Sequence, residues 1–342
     1  MTEIYLIRHA EAEGNAFRRF HGQYDSLLTP RGYLQVKSVE KRCEHIHIDA
    51  CYSSDLTRTS LTARSVCIPK GLKLRRDPRF REVGIGVWED RSFGWLYRFE
   101  AERMNILNAD PAAWRVDGAE TFDVYTQRFY EGLAAAAQAH DGGTIAIFSH
   151  GWVIRDLLVR QFFWNQSRAL PFCDNTGVTK LIWDKGTLRC AFIHDNSHLP
   201  EALSAAALQR WWRETNRATD VHCYFLPYTQ ELKLPAGMEL PDRDSGGMCM
   251  AAILHDQPVG VVSLAAPEGE TGRIIGMALQ DGMDGRMYGD QFLGAAFSHF
   301  RKLGCTRLAA EPGWYPDDIL NRYEFNGPGR SRSIDVNAFD WD

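Results

Sequence analysis

Three short stretches put cationic and imidazole side chains where an apolar run ends. Arg8-His9 follows Ile4-Tyr5-Leu6-Ile7, Ser53-Ser54-Asp55-Leu56-Thr57-Arg58 closes the run from Ala50, and Ser149-His150-Gly151 follows Thr144 to Phe148. The apolar runs read as short buried strands. In an open α/β sheet, ligands bind in the crevice outside the carboxyl ends of the strands. Two Arg and two His therefore converge on one spot. That set suits a phosphoryl group. Guanidinium forks bind its oxygens in pairs, and the helix after His150 aims its N-terminus there.

The elements that must position these residues can be read around them. Thr29-Pro30-Arg31-Gly32 is a helix start, with Thr29 as N-cap and Pro30 in the first turn. A second helix follows Ser53 through Ala63 and Val66. Val153, Ile154, Leu157, Leu158 and Phe162 keep helical spacing after His150. Thr179 to Trp183 and Leu188 to Ile193 read as a hairpin around Asp184-Lys185-Gly186. Pro78 to Phe122 is irregular, rich in aromatic and charged residues, and reads as a cap or lid. Alternating strands and helices make the first half an α/β domain.

The pattern restarts near Leu199-Pro200, so the domains are expected at 1–200 and 201–342. Glu201 to Arg217 looks helical, and a Pro/Gly/Asp-rich stretch, Leu234 to Gly247, breaks the chain. Strands are expected at Met250 to Leu254, Val259 to Leu264 and Arg273 to Leu279, the first two joined by an Asp256-Gln257-Pro258 turn. Tyr288 to Leu303 is a long helix.

Composition narrows the function classes. The chain has 342 residues, 24% of them charged, and a formal net charge of -5. With no long basic stretch, neither nucleic acid nor an anionic membrane surface is an expected partner. The eight Cys are scattered singly. That argues against a zinc ribbon or a redox dithiol and fits a reducing cytoplasm. No apolar stretch reaches membrane-spanning length, and the N-terminus enters a strand directly, without a signal-peptide pattern. No metal-ligand spacing appears, so no metal is expected.

"LIRHAEAEGN", "LTPRGYLQ", "YSSDLTRTSLTA", "REVGIGVWE" and "FSHGWVIRDLL" resemble, in order, the signature blocks of the histidine phosphatase superfamily, also called phosphoglycerate mutase-like. The resemblance covers roughly the first 200 residues. It implies a three-layer α/β/α domain that hydrolyses a small phosphoester without a metal. His9 would attack phosphorus and become a phosphohistidine. It must be neutral to do so, and the cations Arg8 and Arg58 favour that form. Arg8, Arg58 and His150 would hold the phosphoryl oxygens. Asn15 would add a neutral donor, and His21 and Gly151 would also face the substrate. Glu82 would be the general acid and then the general base, with Glu89 or Glu120 as the alternative. Arg18 and Arg19 are either a preference for anionic esters or a solvated face. Mutases of the family carry a long insert between the two catalytic histidines. Here the interval from His9 to His150 is short, which favours a phosphatase over a phosphomutase. A binding module with a vestigial pocket would not need the acid Glu82.

"PVGVVSLAAPEGETGRIIGMAL", "DGRMYGDQFLGAAFSHFRKLG" and "ILNRYEFNG" resemble a GNAT-type acetyltransferase, an α+β fold. In that family, backbone amides of a turn before a long helix cradle the acetyl-CoA pyrophosphate. Gly285, Arg286, Tyr288 and Gly289 match that turn, and Tyr323 matches the tyrosine that protonates the departing thiolate. Met287 stands where glycine is usual. The resemblance thus leaves open a fold kept for packing or recognition, and an acetyl-CoA-dependent N-acetyltransferase that would make the chain bifunctional.

Overall fold

The structure is a computed structural model that describes residues 1–163, 170, 173–214, 217–235, 238, 247–310, 317–326 and 330–341. The chain divides into two compact units. The first takes Met1–Ala12, His21–Glu89 and Ala101–Trp211; the second takes Glu13–Phe20, Asp90–Glu100 and Trp212–Asp342. A single cut at residue 200 does not provide for this, because two early segments go with the second unit.

The first unit is built on a six-stranded sheet: β1 (Thr2–Arg8), β2 (Ala50–Ser53), β3 (Leu74–Arg76), β4 (Thr144–Ser149), β5 (Val178–Asp184) and β6 (Thr187–Asp195), in the order β3-β2-β4-β1-β5-β6. The strands β1 to β4 run parallel, and β5 and β6 add an antiparallel hairpin. Ile4, Leu6 and Ile7 of β1 have no exposed surface, as expected of a strand covered on both faces. On one face Ile7, Cys51, Ala146 and Phe148 pack with Val39 and Cys43 of α1 (Pro30–Cys43) and Ala63 and Val66 of α2 (Thr57–Cys67). Side chains alternate along a strand, so Leu6, Ile145 and Ile147 point to the opposite face. There α3 (Phe122–Gln138) and α4 (Gly151–Leu158) meet β1. The layers are α/β/α. Thr29 caps α1 as read, accepting the Gly32 amide. Because β4 lies between β1 and β2, the carboxyl ends of these three strands are neighbours.

The second unit has its own six-stranded sheet: β7 (Tyr224–Pro227), β8 (Met248–Leu254), β9 (Gln257–Leu264), β10 (Thr271–Leu279), β11 (Arg307–Ala310) and β12 (Ser331–Ser333), paired in that sequence. All neighbours are antiparallel except β10 and β11, which run parallel and are joined through α6 (Gly285–Lys302). Between the two sheets in the chain, a short turn at Glu201–Leu203 precedes α5 (Ala205–Glu214), where one helix from 201 to 217 is expected from the sequence. The expected turn at 256–258 is also displaced. His255 and Asp256, both at positive φ (49° and 60°), make a two-residue hairpin turn, and Gln257 and Pro258 join β9. Most of the expected break at 234–247 lies outside the described residues.

Two early segments complete this unit. Phe17 is buried in its core with Phe297, Tyr323 and Phe292. A Cβ on Gly294 would come within 2.4 Å of Phe17 Cβ, so only glycine permits that approach. Glu13, 1% exposed, takes a bidentate ion pair from Arg301 at 2.5 and 3.0 Å. Asp90 accepts from Arg19 and from Ser298. The expected 78–122 cap therefore belongs to two bodies, with Asp90–Glu100 in the second unit. Among the described residues, no helix is long and apolar enough to cross a membrane.

Candidate active site

The end of β1 delivers Arg8 and His9 to the sheet's carboxyl edge, the start of α2 delivers Arg58, and the end of β4 delivers His150. The His9 and His150 ring centroids are 5.1 Å apart. His9 is 5% exposed, and its Nδ1 lies 2.6 Å from the Ala10 carbonyl oxygen. A carbonyl only accepts, so Nδ1 carries the proton and Nε2 keeps its lone pair. Burial first, then Arg58 and Arg8, and lastly His21, hold the pKa of this imidazole well below its ordinary value. It is therefore neutral at pH 7.

The cations are fixed from behind. Arg58, 2% exposed, donates to the carbonyls of Tyr24 (2.9 Å) and Gly22 (2.7 Å). Arg8 donates to the Cys173 carbonyl. Gly151 packs against the Arg8 guanidinium, and a Cβ there would lie 2.9 Å from Nε. His150 is fully buried with Nε2 3.1 Å from the Thr59 hydroxyl. Its Nδ1 is a buried atom with no hydrogen-bond partner among the described residues. Its pKa too is driven well below the ordinary value, by burial and then Arg58.

Glu82 reaches the first turn of α4. Its carboxylate accepts the amides of Trp152 (3.0 Å), Val153 (2.8 Å) and its own neighbour Val83 (3.1 Å). Burial raises its pKa, opposed by these amides and by Arg58. The other carboxylates considered for the acid are spent on structure. Glu89 accepts amides of Gly22, Gln23 and Tyr24 at 2.7 to 3.1 Å, tightening the loop that Arg58 grips from its carbonyl side. Glu120 pairs with Arg128 at 2.8 Å and accepts the Gly84 amide.

His21 stands in that loop with its ring 4.7 Å from Tyr24, and it faces His9 closely enough to disfavour the imidazolium. Asn15 lies on the Glu13–Ala16 helix, in the second unit. Arg19 is neither a substrate cation nor a solvated side chain: it is 11% exposed and bound to Asp90. Arg18 adopts φ 55°, an uncommon backbone state for its residue type.

Sequence reasoning missed a supporting layer. Asp156, fully buried, accepts from the Tyr125 hydroxyl and from Trp152 Nε1 at 2.8 Å, and burial raises its pKa to about 6. It orients the residue whose amide binds Glu82. Arg128 donates to the carbonyls of Arg79, Arg81 and Glu82. The i, i+4 spacing of Trp152 and Asp156 was the one visible signal.

In the second unit, Gly285, Arg286, Tyr288 and Gly289 lie inside α6 rather than in a turn before it. The Met287 and Tyr288 amides donate to the Asp284 carbonyl. Gly289 is buried, and a Cβ there would come within 2.2 Å of Ile319. Tyr288 donates to the Asp220 carbonyl. The Arg286 side chain lies outside the described residues. The Tyr323 hydroxyl, 2.9 Å from Asp290, is already engaged. Among the described residues, no group of three or more His, Cys, Asp or Glu could hold a metal ion.

The family model described as "Histidine phosphatase superfamily (branch 1)" matches residues 4–196, more than half of the chain. The chain belongs to the histidine phosphatase superfamily. As a histidine phosphatase it is an enzyme of phosphoryl transfer. It is 34% identical over 152 residues to the "Probable phosphoglycerate mutase GpmB" of Escherichia fergusonii, a match that covers 44% of this chain and 70% of that one. Among solved structures, YhfR of Bacillus stearothermophilus aligns with a TM-score of 0.56 and 28% identity over 58% of this chain and 99% of that one. A mycobacterial glucosyl-3-phosphoglycerate phosphatase aligns with a TM-score of 0.52 and 22% identity over 57% and 99%, a likeness of fold.

Proposed function

We propose that the chain is a metal-independent phosphomonoester hydrolase that works through a phosphohistidine on His9. The observation that carries this reading is a neutral imidazole with Nε2 unprotonated, beside two buried guanidinium groups and a carboxyl group of raised pKa. Nε2 attacks phosphorus, the ester P–O bond breaks, and Glu82 gives its proton to the leaving oxygen. Glu82 then takes a proton from water, the hydroxide attacks phosphorus, the P–N bond breaks, and inorganic phosphate leaves. Arg8, Arg58 and His150 hold the oxygens that carry charge through both steps. Asn15, His21 and Gly151 are assigned to the substrate side, Gly151 acting by leaving room for Arg8.

The substrate is a small phosphorylated metabolite, and hydrolysis is favoured over mutation by the short interval between His9 and His150. The relative from E. fergusonii bears a mutase in its name, so the two must be separated by experiment. Radiolabelled substrate should leave an acid-labile, base-stable label on His9 that water discharges within one turnover. A label that waits for a second phosphate acceptor would make the chain a mutase. Screening phosphorylated metabolites for release of inorganic phosphate identifies the substrate. All eight cysteines are unbridged, which supports a cytoplasmic setting.

For the second unit we propose a GNAT-like fold without acetyl-CoA chemistry. The antiparallel strands followed by a parallel β10–α6–β11 crossover support the fold. The engaged Met287 and Tyr288 amides, the packing of Gly289 and the engaged Tyr323 hydroxyl speak against the cofactor. Acetyl-CoA should leave the thermal unfolding of the protein unchanged; a saturable upward shift would restore the acetyltransferase reading.

A further inference from the structure

The segment Cys173–Gly177, between the described part of the helical run after His150 and β5, does more than offer one carbonyl to Arg8. It touches the catalytic pair four times. The Cys173 carbonyl accepts from Arg8, and the Gly177 carbonyl accepts the Arg8 amide at 3.1 Å. The His9 carbonyl accepts two bonds, from Asn175 Nδ2 at 3.1 Å and from the Thr176 amide at 3.3 Å. The other edge of that same peptide unit, the Ala10 amide, donates to Thr62 Oγ1 at 3.0 Å. One peptide plane, 9–10, is therefore clamped on both edges. The next carbonyl along, that of Ala10, is the one that takes the proton-bearing Nδ1 of His9.

The clamp is itself held under constraint. Thr176 is a β-branched residue at φ 59°, a conformation such residues rarely adopt and keep only when their surroundings impose it. Its hydroxyl meets His198 Nε2 at 3.0 Å and the Asn175 carbonyl at 2.7 Å. Asp174, 1% exposed, anchors the segment by accepting from the amides of Asn175 (2.8 Å) and Ala205 (3.0 Å), from Asn196 (3.1 Å) and from Ser204 (2.5 Å). A buried carboxylate with that many donors is a fixed point.

We propose that Asn175, together with the Thr176 amide, is a positioning residue that sets the peptide plane after His9 and so keeps the His9 proton on Nδ1 and the lone pair on Nε2. The proposal rests on the phosphohistidine reading for its kinetic consequence, but not for its structural one.

Asn175→Ala removes the donor. Asn175→Asp keeps the shape and replaces the donor by a carboxylate, which regains an O–H donor when protonated. Both are compared with wild type and His9→Ala by aryl phosphate hydrolysis, by thermal unfolding, and by nitrogen NMR of the His9 ring. Asn175→Ala should lower kcat by about tenfold or more, as a misplaced reacting atom does, with KM within about threefold. Asn175→Asp should lose more at pH 8 and regain activity relative to wild type as the pH falls toward 5. The NMR spectrum should show Nδ1–H alone in wild type and a mixture of tautomers in both variants. An unchanged tautomer in the two variants overturns the proposal, whether or not the protein proves to be a phosphatase. So does a kcat within twofold of wild type for both, or an Asn175→Asp to wild-type rate ratio that is flat with pH. Wild type failing to hydrolyse, or His9→Ala retaining full activity, would remove the phosphohistidine reading and leave the tautomer measurement to decide the positioning role.

Discussion

At the scale of single residues, burial moves three groups of the proposed site away from their ordinary protonation, His9 and His150 downward and Glu82 upward. His9→Ala should abolish aryl phosphate hydrolysis, while inorganic phosphate still binds to Arg8 and Arg58; titration calorimetry checks the second half. Glu82→Gln should cost about a hundredfold on poor leaving groups and much less on good ones, read from rates across a series of substituted phenyl phosphates. The pH dependence of stability follows from the same shifts. The folded-state pKa values of His9 and His150 lie well below 6.5, their ordinary value. Below pH 6.5 the unfolded chain binds protons that the folded one refuses. Their contribution is thus present above that pH and lost as pH falls. Asp156 has the opposite sign: its pKa rises from 3.8 to about 6, so its contribution is present below 3.8 and lost as pH rises through about 6. Asp156→Asn should therefore remove this loss of unfolding free energy between about pH 4 and 6, measured by urea denaturation at a series of pH values. His9, Arg8, Arg58 and His150 were legible in the sequence because each sits where an apolar run ends. Arg128 and Asn175 were not, because their partners lie far along the chain: Arg128 serves residues 79 to 82, and Asn175 serves residue 9; of Asp156 only the Trp152 spacing showed, not the Tyr125 hydroxyl.

At the scale of elements, what matters is how closely a backbone may approach a functional group. Gly151 opens α4 with no side chain because the Arg8 guanidinium fills the space. Gly151→Ala should displace Arg8 and lower kcat/KM by about tenfold or more, with little change in Tm. Gly22 is tighter still: a Cβ would stand 2.3 Å from the Val83 carbonyl oxygen. Gly22→Ala should destabilise the first unit by about 1–3 kcal/mol, as overpacking does, in the same urea assay. Element boundaries followed local chemistry where it was explicit. Thr29 and Pro30 began α1 as read, and β2 has the bounds that its apolar run gave. The misplacements came from positions whose backbone state the residue type does not advertise. His255 and Asp256 take positive φ without a glycine. The start of α6 at Gly285 is set by the Asp284 carbonyl, not by the hydrophobic pattern.

At the scale of the whole molecule, the two units share one chain that passes between them five times. At one of these passages Glu89 holds the loop at 22–24 within the first unit, while Asp90, the next residue, is bound to Arg19 and Ser298 within the second. Removing Arg301 would take the bidentate ion pair from the buried Glu13 carboxylate. Arg301→Ala should therefore destabilise the second unit, read as a lower urea midpoint, and Arg301→Lys should recover part of the loss. No local pattern marked Glu13, Phe17 or Asp90 as belonging to a body whose partners come roughly two to three hundred residues later; only the tertiary partners do.

The place of Phe17 also bears on how the protein is made. Phe17, eight positions after His9, packs with Tyr323, some three hundred residues later in the chain. At translation speeds of roughly 5–20 residues per second, that ring waits on the order of fifteen seconds to a minute for its neighbours. Through that time Phe17 lacks the partners that bury it, so the second unit cannot close its core until residue 323 has been made.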